Sequence, residues 1–395
     1  MKRLLFLISF AFRDASKNKL LLVLIVFSLG VAFSAIFISS SIFGGFQQML
    51  ADGEINWLGH LIVTPKSDQL SIPNINKVIQ ELNGIENIEA FSVRSYAVGG
   101  LAYKGKIFHA YRLLGVNPFY ENNVSKLSGK VIEGDFVSSD DKKDIAIGFT
   151  LADSMEGFVY DGEKVSTDQK VQVMTMNGNS DIYNISGIID AKTFLPNWLL
   201  IMPKEELEKL DDRQKDSEII IKLKDEKKIK ETKETIKEKN LDINVTTWKE
   251  QAGYIDDIME AVSFITILIN YLLTASVFIM ITVIIFINVF NKRRQIGILK
   301  SMGATNKFVI GIYILETFVY AIFAYILGFL VFWAVHQYSL ANPVSLLIGD
   351  FHTIFDVKTI WSSLITLFGA SLGGSFIPSY IAAKTKIIDV IKGSV

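Results

Sequence analysis

The chain has 395 residues, half of them apolar, with no cysteine, four histidines and a formal net charge of −1. Balanced charge removes the basic field that nucleic acid binding calls for, and the lack of cysteine removes disulfides, thiolate catalysis and cysteine-ligated zinc or iron–sulfur sites. His60, His109, His336 and His352 stand singly, without the short spacing of metal ligands, and the apolar content points to a membrane protein.

Residues 1–19 carry Lys2, Arg3, Arg13, Lys17 and Lys19 among Leu, Ile and Phe, which predicts a cytoplasmic amphipathic helix on the inner membrane face. Residues 20–43 follow without a charge, long enough to cross a hydrocarbon core of about 30 Å and longer than the apolar segment of a secretory signal. Gly30 and Ser34 in this run, with Gly369 and Gly373 near the other end of the chain, are small residues expected to face a dimer partner or lipid.

Residues 44–260 form one long hydrophilic block whose borders, Gln47 to Leu50 and Trp248 to Glu260, read as helical continuations of the spans. Inside it, HLIVTP (60–65) predicts a strand, and Ile75, Val78, Ile79 and Leu82 fall at helical spacing. A second strand starts near Ile88, and Lys104-Gly105-Lys106 turns Phe91–Tyr103 back onto Ile107–Val116. Downstream, SEIIIKLK (217–224), a charged helix over Asp225–Lys239 and a strand at Leu241–Thr247 repeat the pattern, even to the exits QELNGIENIEAFS and IKEKNLDINVTTW. This internal repeat predicts two halves of a ferredoxin-like unit, split by a β-rich insertion at about 117–211. The insertion carries strand candidates at Asp144–Ile147, Val171–Met176, Asp181–Ile189 and Leu199–Met202, with an Asn177-Gly178 turn and a helix at Lys204–Leu210. Asp140, Asp141, Asp144, Asp211 and Asp212 lack the alternating spacing of a calcium loop and read as solvated surface.

Residues 261–291 make the second apolar run, 308–336 the third and 360–383 the fourth. Asn270, Thr274, Ser276, Thr282 and Asn288 are expected to hydrogen-bond between helices. Glu316 is the one charge within the four runs, a functional candidate by position, with Lys307 or the amino-terminal basic helix as its expected partner. Basic residues cluster in the amino-terminal arm, in the 292–307 connection and in the 384–395 tail, while the 337–359 loop is acidic. Both termini are therefore expected in the cytoplasm, with the large domain outside.

The connection after the second run carries Lys292, Arg293, Arg294 and Gln295, then Ile296, Gly297, Ile298, Leu299, Lys300 and Met302, with Gly303 to stop the helix and Thr305 to cap the next. On residues alone it either anchors the loop at the headgroups or docks a soluble partner.

KRRQIGILKSMGATNKFVIGIYILE resembles the signature of the MacB/FtsX-like permeases of type VII ABC transporters, and PSYIAAKTKIIDVIKG is similar to their closing motif, with Ile388-Asp389-Val390 where Asp-Pro-Val is common. The resemblance covers essentially the whole chain. It implies an α-helical membrane protein with four transmembrane helices and an α+β extracytoplasmic domain, the split ferredoxin-like unit being the family's Porter part and the insertion its β-rich Sabre part. FGGFQQML, HLIVTP, RLLGVNPFYENNVSKLSGKVIEGDF and TTWKEQAGYIDDIMEAVSFITILI resemble, in order, segments of the lipoprotein-releasing LolC and LolE type. At MTMNGNSDIYN the LolC form has a longer protruding hook.

Nothing in the chain fits a GxxxxGK[ST] phosphate loop, so it is expected to be no enzyme and to bind no cofactor. The resemblance implies a pair of ABC ATPase subunits that hold ATP and Mg and dock on Lys292–Gly303, a second permease subunit, identical or paralogous, and membrane lipids. It also implies a lipoprotein or amphipathic substrate, moved by mechanotransmission in the inner membrane. A MacB-like exporter of peptides, drugs or glycolipids and an FtsX-like signalling scaffold for a cell-wall hydrolase are the alternatives.

Overall fold

The computed structural model describes residues 19–67, 69–110, 112–138, 143–157, 166–193, 195–213, 215–346 and 349–384. The expected amphipathic helix at 1–19 and the tail at 384–395 lie outside these, apart from Lys19 and Lys384, as do Asp140 and Asp141. The chain divides into two units, one drawn from Met1–Gln47, Glu260–Val344 and Phe351–Val395, the other from Gln48–Met259 and Ser345–Asp350. Helix α1 (Lys19–Leu58) contributes residues to both.

In the second unit, β1 (Leu61–Pro65), α2 (Ile75–Asn83) and β2 (Ile88–Ala97) make a strand-helix-strand passage in which Val78 and Leu82 are buried, one turn apart. After this passage come β3 (Gly99–Tyr103), β4 (Lys106–His109) and β5 (Arg112–Val116), ahead of the insertion expected at about 117–211, then α3 (Pro118–Val124), β6 (Val131–Gly134), β7 (Asp144–Gly148) and α4 (Phe149–Gly157). The insertion continues through β8 (Lys170–Thr175), β9 (Ser180–Ile189), β10 (Leu199–Pro203) and α5 (Lys204–Leu210). A second passage, β11 (Glu218–Leu223), α6 (Ile229–Glu238) and β12 (Ile243–Thr247), closes the unit's sheet.

The strands run in the order β12-β1-β11-β2-β5-β10-β7-β9-β8-β3-β4, with β6 on β9. The four strands of the two repeats are neighbours, each antiparallel to the next. Leu61, Val63, Ile219, Ile221 and Val245 pack on Val78, Leu82 and Ile236 of the two helices. The strand expected over Phe91–Tyr103 is broken at Val98, because β2 belongs with β11 and β5 whereas β3 pairs with β8 and β4. The Lys104-Gly105 turn stands as read from sequence, both residues taking positive φ (48° and 79°) as a tight hairpin demands. A second core, including Leu101, Leu113, Ile147, Val173, Ile185 and Leu200, joins β3 and β5 to the strands of the insertion.

The helical continuation expected over Trp248–Glu260 is interrupted at Ala252. A capping box between Thr247 and Glu250 holds the short α7 (Trp248–Gln251), and α8 (Gly253–Asn291) starts afresh. Then come α9 (Arg293–Ser301), α10 (Asn306–Ala341), a hairpin of β13 (Val344–Leu346) and β14 (Gly349–Phe351), and α11 (Val357–Lys384), which continues through Pro378. Among the described residues, four helices are long and apolar enough to cross a membrane: α1, α8, α10 and α11. A helix satisfies its own backbone hydrogen bonds, which is what hydrocarbon requires.

Leu29, Phe33 and Phe37 of α1, Ile281 and Ile285 of α8, Tyr320 and Ala324 of α10, and Leu367 of α11 share one core. The expectation that Gly30 and Ser34 face a dimer partner or lipid is corrected here. Both are buried; a Cβ on Gly30 would stand 2.8 Å from Leu327, and one on Gly328 would stand 2.8 Å from the Gly30 carbonyl, so the pair marks the close crossing of α1 and α10. Gly373 is half-buried against Phe278, while Gly369 is exposed. Of the polar residues along α8, Asn270 donates to the Ser40 hydroxyl and Asn288 reaches α10. Thr274, Ser276 and Thr282 instead donate to carbonyls one turn back on their own helix.

Candidate functional site

The basic connection between α8 and α10 is a short elbow. Lys292 leaves α8 with its amide donating to the Asn288 carbonyl, and α9 follows at once. At the far end Gly303 takes φ 94°, a conformation that needs glycine, and the Thr305 hydroxyl accepts from the Phe308 amide to start α10. The Arg293 guanidinium lies 4.3 Å from the Phe290 ring centroid, and Lys300 Nζ donates to the Ala383 carbonyl at 2.7 Å, tying α9 to the end of α11.

The short helix therefore has two faces. Ile296 and Gly297 are buried, so their expected part in docking a partner is corrected to packing against the chain itself. Arg294, Gln295, Ile298 and Met302 are exposed, Ile298 at 53% and Met302 at 73%. A cavity of about 200 Å³ lies between α9 and the start of α10, lined by Ile296, Ile298, Leu299, Val309, Ile312 and Tyr313.

Glu316 sits one layer deeper, with 0% exposure. Its Oε1 accepts from Lys292 Nζ at 3.0 Å, from Asn288 Nδ2 at 2.8 Å and from the Tyr320 hydroxyl at 2.6 Å, while Oε2 is buried without a hydrogen-bond partner. The expected partner Lys307 is exposed and is not among these donors. One carboxylate thus joins the end of α8, the first residue of the elbow and the third long apolar helix. Such a charge is kept inside only by close counter-charge and hydrogen bonds, and losing one partner of a buried pair costs about 3–5 kcal/mol.

The family model for the FtsX-like permease C-terminal matches residues 267–387, and that for the MacB-like periplasmic core domain matches residues 22–239, more than half the chain. This chain belongs to the MacB/FtsX/LolC-type ABC transporter permeases. A curated relative, the lipoprotein-releasing system transmembrane protein LolC of Buchnera aphidicola subsp. Schizaphis graminum, is 23% identical over 302 residues, 75% of this chain and 74% of the relative. Among solved structures, the periplasmic region of MacB from Actinobacillus actinomycetemcomitans matches at 12% identity and TM-score 0.35, covering 53% of this chain and 98% of that one. The extracellular domain of the noncanonic ABC-type transporter YknZ from Gram-positive bacteria matches at 15% identity and TM-score 0.35, covering 48% of this chain and 97% of that one.

As a permease with four apolar helices, it is an inner-membrane protein, and its family is the permease subunit of a transporter whose ATPase is a separate partner. Asn288 makes the interhelical hydrogen bond expected of it, whereas Tyr320 escaped the sequence reading although it lies one turn after Glu316.

The second unit of the permease holds another buried ionic cluster that no motif announces. Arg94 of β2 is fully buried and donates to Glu121 Oε1 at 2.5 Å, to Glu218 Oε1 at 3.3 Å and to the Trp57 carbonyl at 2.6 Å. Trp57 Nε1 and the Tyr254 hydroxyl both donate to Glu54, at 2.8 and 3.0 Å. Burial alone would push the Glu121 carboxyl up; the Arg94 guanidinium and the Ser92 hydroxyl outweigh it and hold the group below the usual carboxylate range.

Proposed function

We propose that this permease releases lipoproteins from the membrane by mechanotransmission, driven by a pair of ATPase subunits that bind ATP and Mg and dock on the outward face of α9. The observation that carries this reading is the tied elbow. Its exposed Arg294, Gln295, Ile298 and Met302 offer a mixed basic and apolar surface, while Lys292 fastens the same element to the buried Glu316. A push on α9 would then reach α8 and α10 without slack.

The charge pattern supports both termini and the elbow in the cytoplasm and the second unit outside. The strand order β12-β1-β11-β2, with a helix inside each repeat, supports the split ferredoxin-like reading, the Porter part, and the strands from β6 to β10 supply the inserted Sabre part. A second permease subunit completes the transporter, and the exposed Gly369 on α11 is a place where it can approach. Lipoprotein as substrate rests on the ordered segments shared with the LolC and LolE type and on the LolC relative.

The MacB-like exporter reading has one observation of its own. Gly178 takes φ 87° in a tight β8–β9 turn, and Asn179 Nδ2 donates to the Leu210 carbonyl, so this hairpin ends flush rather than in a hook. The two readings part on substrate. Purified with its ATPase, a lipoprotein-releasing permease shows ATP hydrolysis stimulated by acylated lipoprotein and unaffected by the deacylated form. Equal stimulation by both, or by neither, rejects lipoprotein release.

A further inference from the structure

The second unit contains a cleft of about 580 Å³ that transport coupling does not use. It opens where β2 and β5 diverge. The two strands pair only through Ser95–Ala97 and Leu113–Gly115, after which β5 runs out at Val116 and the chain turns into α3, with the Asn117 side chain accepting from the Phe119 amide. Phe91 and Val93 of β2, Ile79 of α2, and Pro118 and Tyr120 of α3 give the cleft apolar walls.

The opposite lip is α5, and it is acidic. Glu205, Glu206 and Glu208 line the cleft with Lys204 as the one lining cation. Lys204 Nζ is already engaged, 2.5 Å from Asp216 and 3.6 Å from Glu208, and Glu206 holds Lys209 at 2.6 Å. The cleft lining thus carries three carboxylates against one ammonium, which makes the lip negative. The Ser95 hydroxyl donates to Glu208 at 2.7 Å and fixes that carboxylate beside the apolar floor.

The aromatic wall is fixed as well. Tyr120 is 54% exposed and makes an edge contact with the exposed Phe119, their centroids 5.3 Å apart. The next residue, Glu121, is fully buried against Arg94 and Ser92, so α3 is pinned to β2 before anything binds. A cavity of this size suits a few side chains, and a preset wall spares a ligand the entropy of ordering it.

We propose that this cleft binds a cationic amphipathic peptide segment, its apolar side chains against Phe91, Val93 and Tyr120 and its Lys or Arg groups at Glu205 and Glu208. The lip disfavours anions, and the exposed ring of Tyr120 adds a face on which a cation is attracted. The inference does not depend on which substrate the transporter moves or on how the ATPase docks.

The test uses the full chain in a neutral detergent and the fluorescence anisotropy of a short labelled peptide alternating Lys and Leu, with empty micelles subtracted. The Lys peptide binds, more weakly as salt rises, and the same peptide with Glu for Lys does not. Glu205→Gln with Glu208→Gln weakens binding about tenfold. Asn83→Trp, at an exposed position on the rim, fills the mouth and removes binding while the thermal melt of the chain stays in place. Failure of the Lys peptide to bind, equal binding of the Lys and Glu peptides, or unchanged affinity in these variants overturns the proposal.

Discussion

Removing the ammonium of Lys292 by Lys292→Met leaves the fully buried Glu316 carboxylate without its counter-charge. Asn288 and Tyr320 still donate to Oε1, but neither neutralises the charge, and the expected cost is about 3–5 kcal/mol. The reverse change, Glu316→Leu, is milder. The Lys292 side chain keeps 19% exposure and can turn its head toward water, so about 1.5–3 kcal/mol is expected, mostly from donors left without an acceptor. The double variant Lys292→Met with Glu316→Leu carries no unpaired charge and should be better tolerated than Lys292→Met alone by about 2 kcal/mol, a coupling of about 4 kcal/mol once the cost of Glu316→Leu is counted. Hydrogen exchange of the amides of Arg293–Ser301, in the purified chain, reads this directly, since about 1.4 kcal/mol of local opening is tenfold in rate. Lys292→Met should speed that exchange on the order of a hundred- to a thousandfold, and the second substitution should slow it again about thirtyfold. Purely additive effects, with the double variant worse than either single, would refute the reasoning.

Gly328→Leu places a side chain where a Cβ already meets the Gly30 carbonyl at 2.8 Å, so the thermal melt in detergent should fall by the equivalent of about 1–3 kcal/mol, whereas Gly369→Leu, in open space, should leave it unchanged. Gly303→Ala forces a Cβ into φ 94° and should cost about 1 kcal/mol, seen as faster exchange at the α9 end and not in the second unit. For Arg94 the prediction concerns pH. Because Glu121 titrates below its unfolded value, it contributes stability that is present above about pH 4.3 and is lost as pH falls through the folded value. In Arg94→Met the desolvated carboxyl is raised instead, so stability should fall as pH rises from about 4.3; tryptophan fluorescence melts across this range check the reversal, and an unchanged slope contradicts it.

Local pattern carried the parts of the fold that depend on short stretches. The α2 spacing, the Lys104-Gly105 turn, the β8–β9 turn, the α5 bounds and the Gly303 and Thr305 punctuation of the elbow are all set by residues within a turn or two of one another. What escaped depends on partners far along the chain. The break at Val98 follows from β2 and β3 pairing with different strands, and the parallel match of β5 with β10 joins segments more than eighty residues apart. α3 was hidden because only seven residues and one buried glutamate define it, and its burial depends on an arginine on another strand. At the site, the basic residues and Glu316 were legible, yet the counter-ion was sought in Lys307 or the amino-terminal basic helix. Lys292 was not among these candidates, and the turn between α8 and α9 brings it to the carboxylate. Ile296 and Gly297 looked like part of a docking face because an apolar stripe does not say which side of a short helix meets its own chain.

The most direct test of ATPase docking on the elbow, on which force transfer depends, is copurification of the ATPase with the permease carrying Ile298→Asp and Met302→Asp, both at exposed positions of or just after α9. Two carboxylates on the outward face should abolish copurification while the four helices still insert and the buried pair of Lys292 and Glu316 is untouched. An ATPase retained at the level of the unaltered chain would contradict docking at α9.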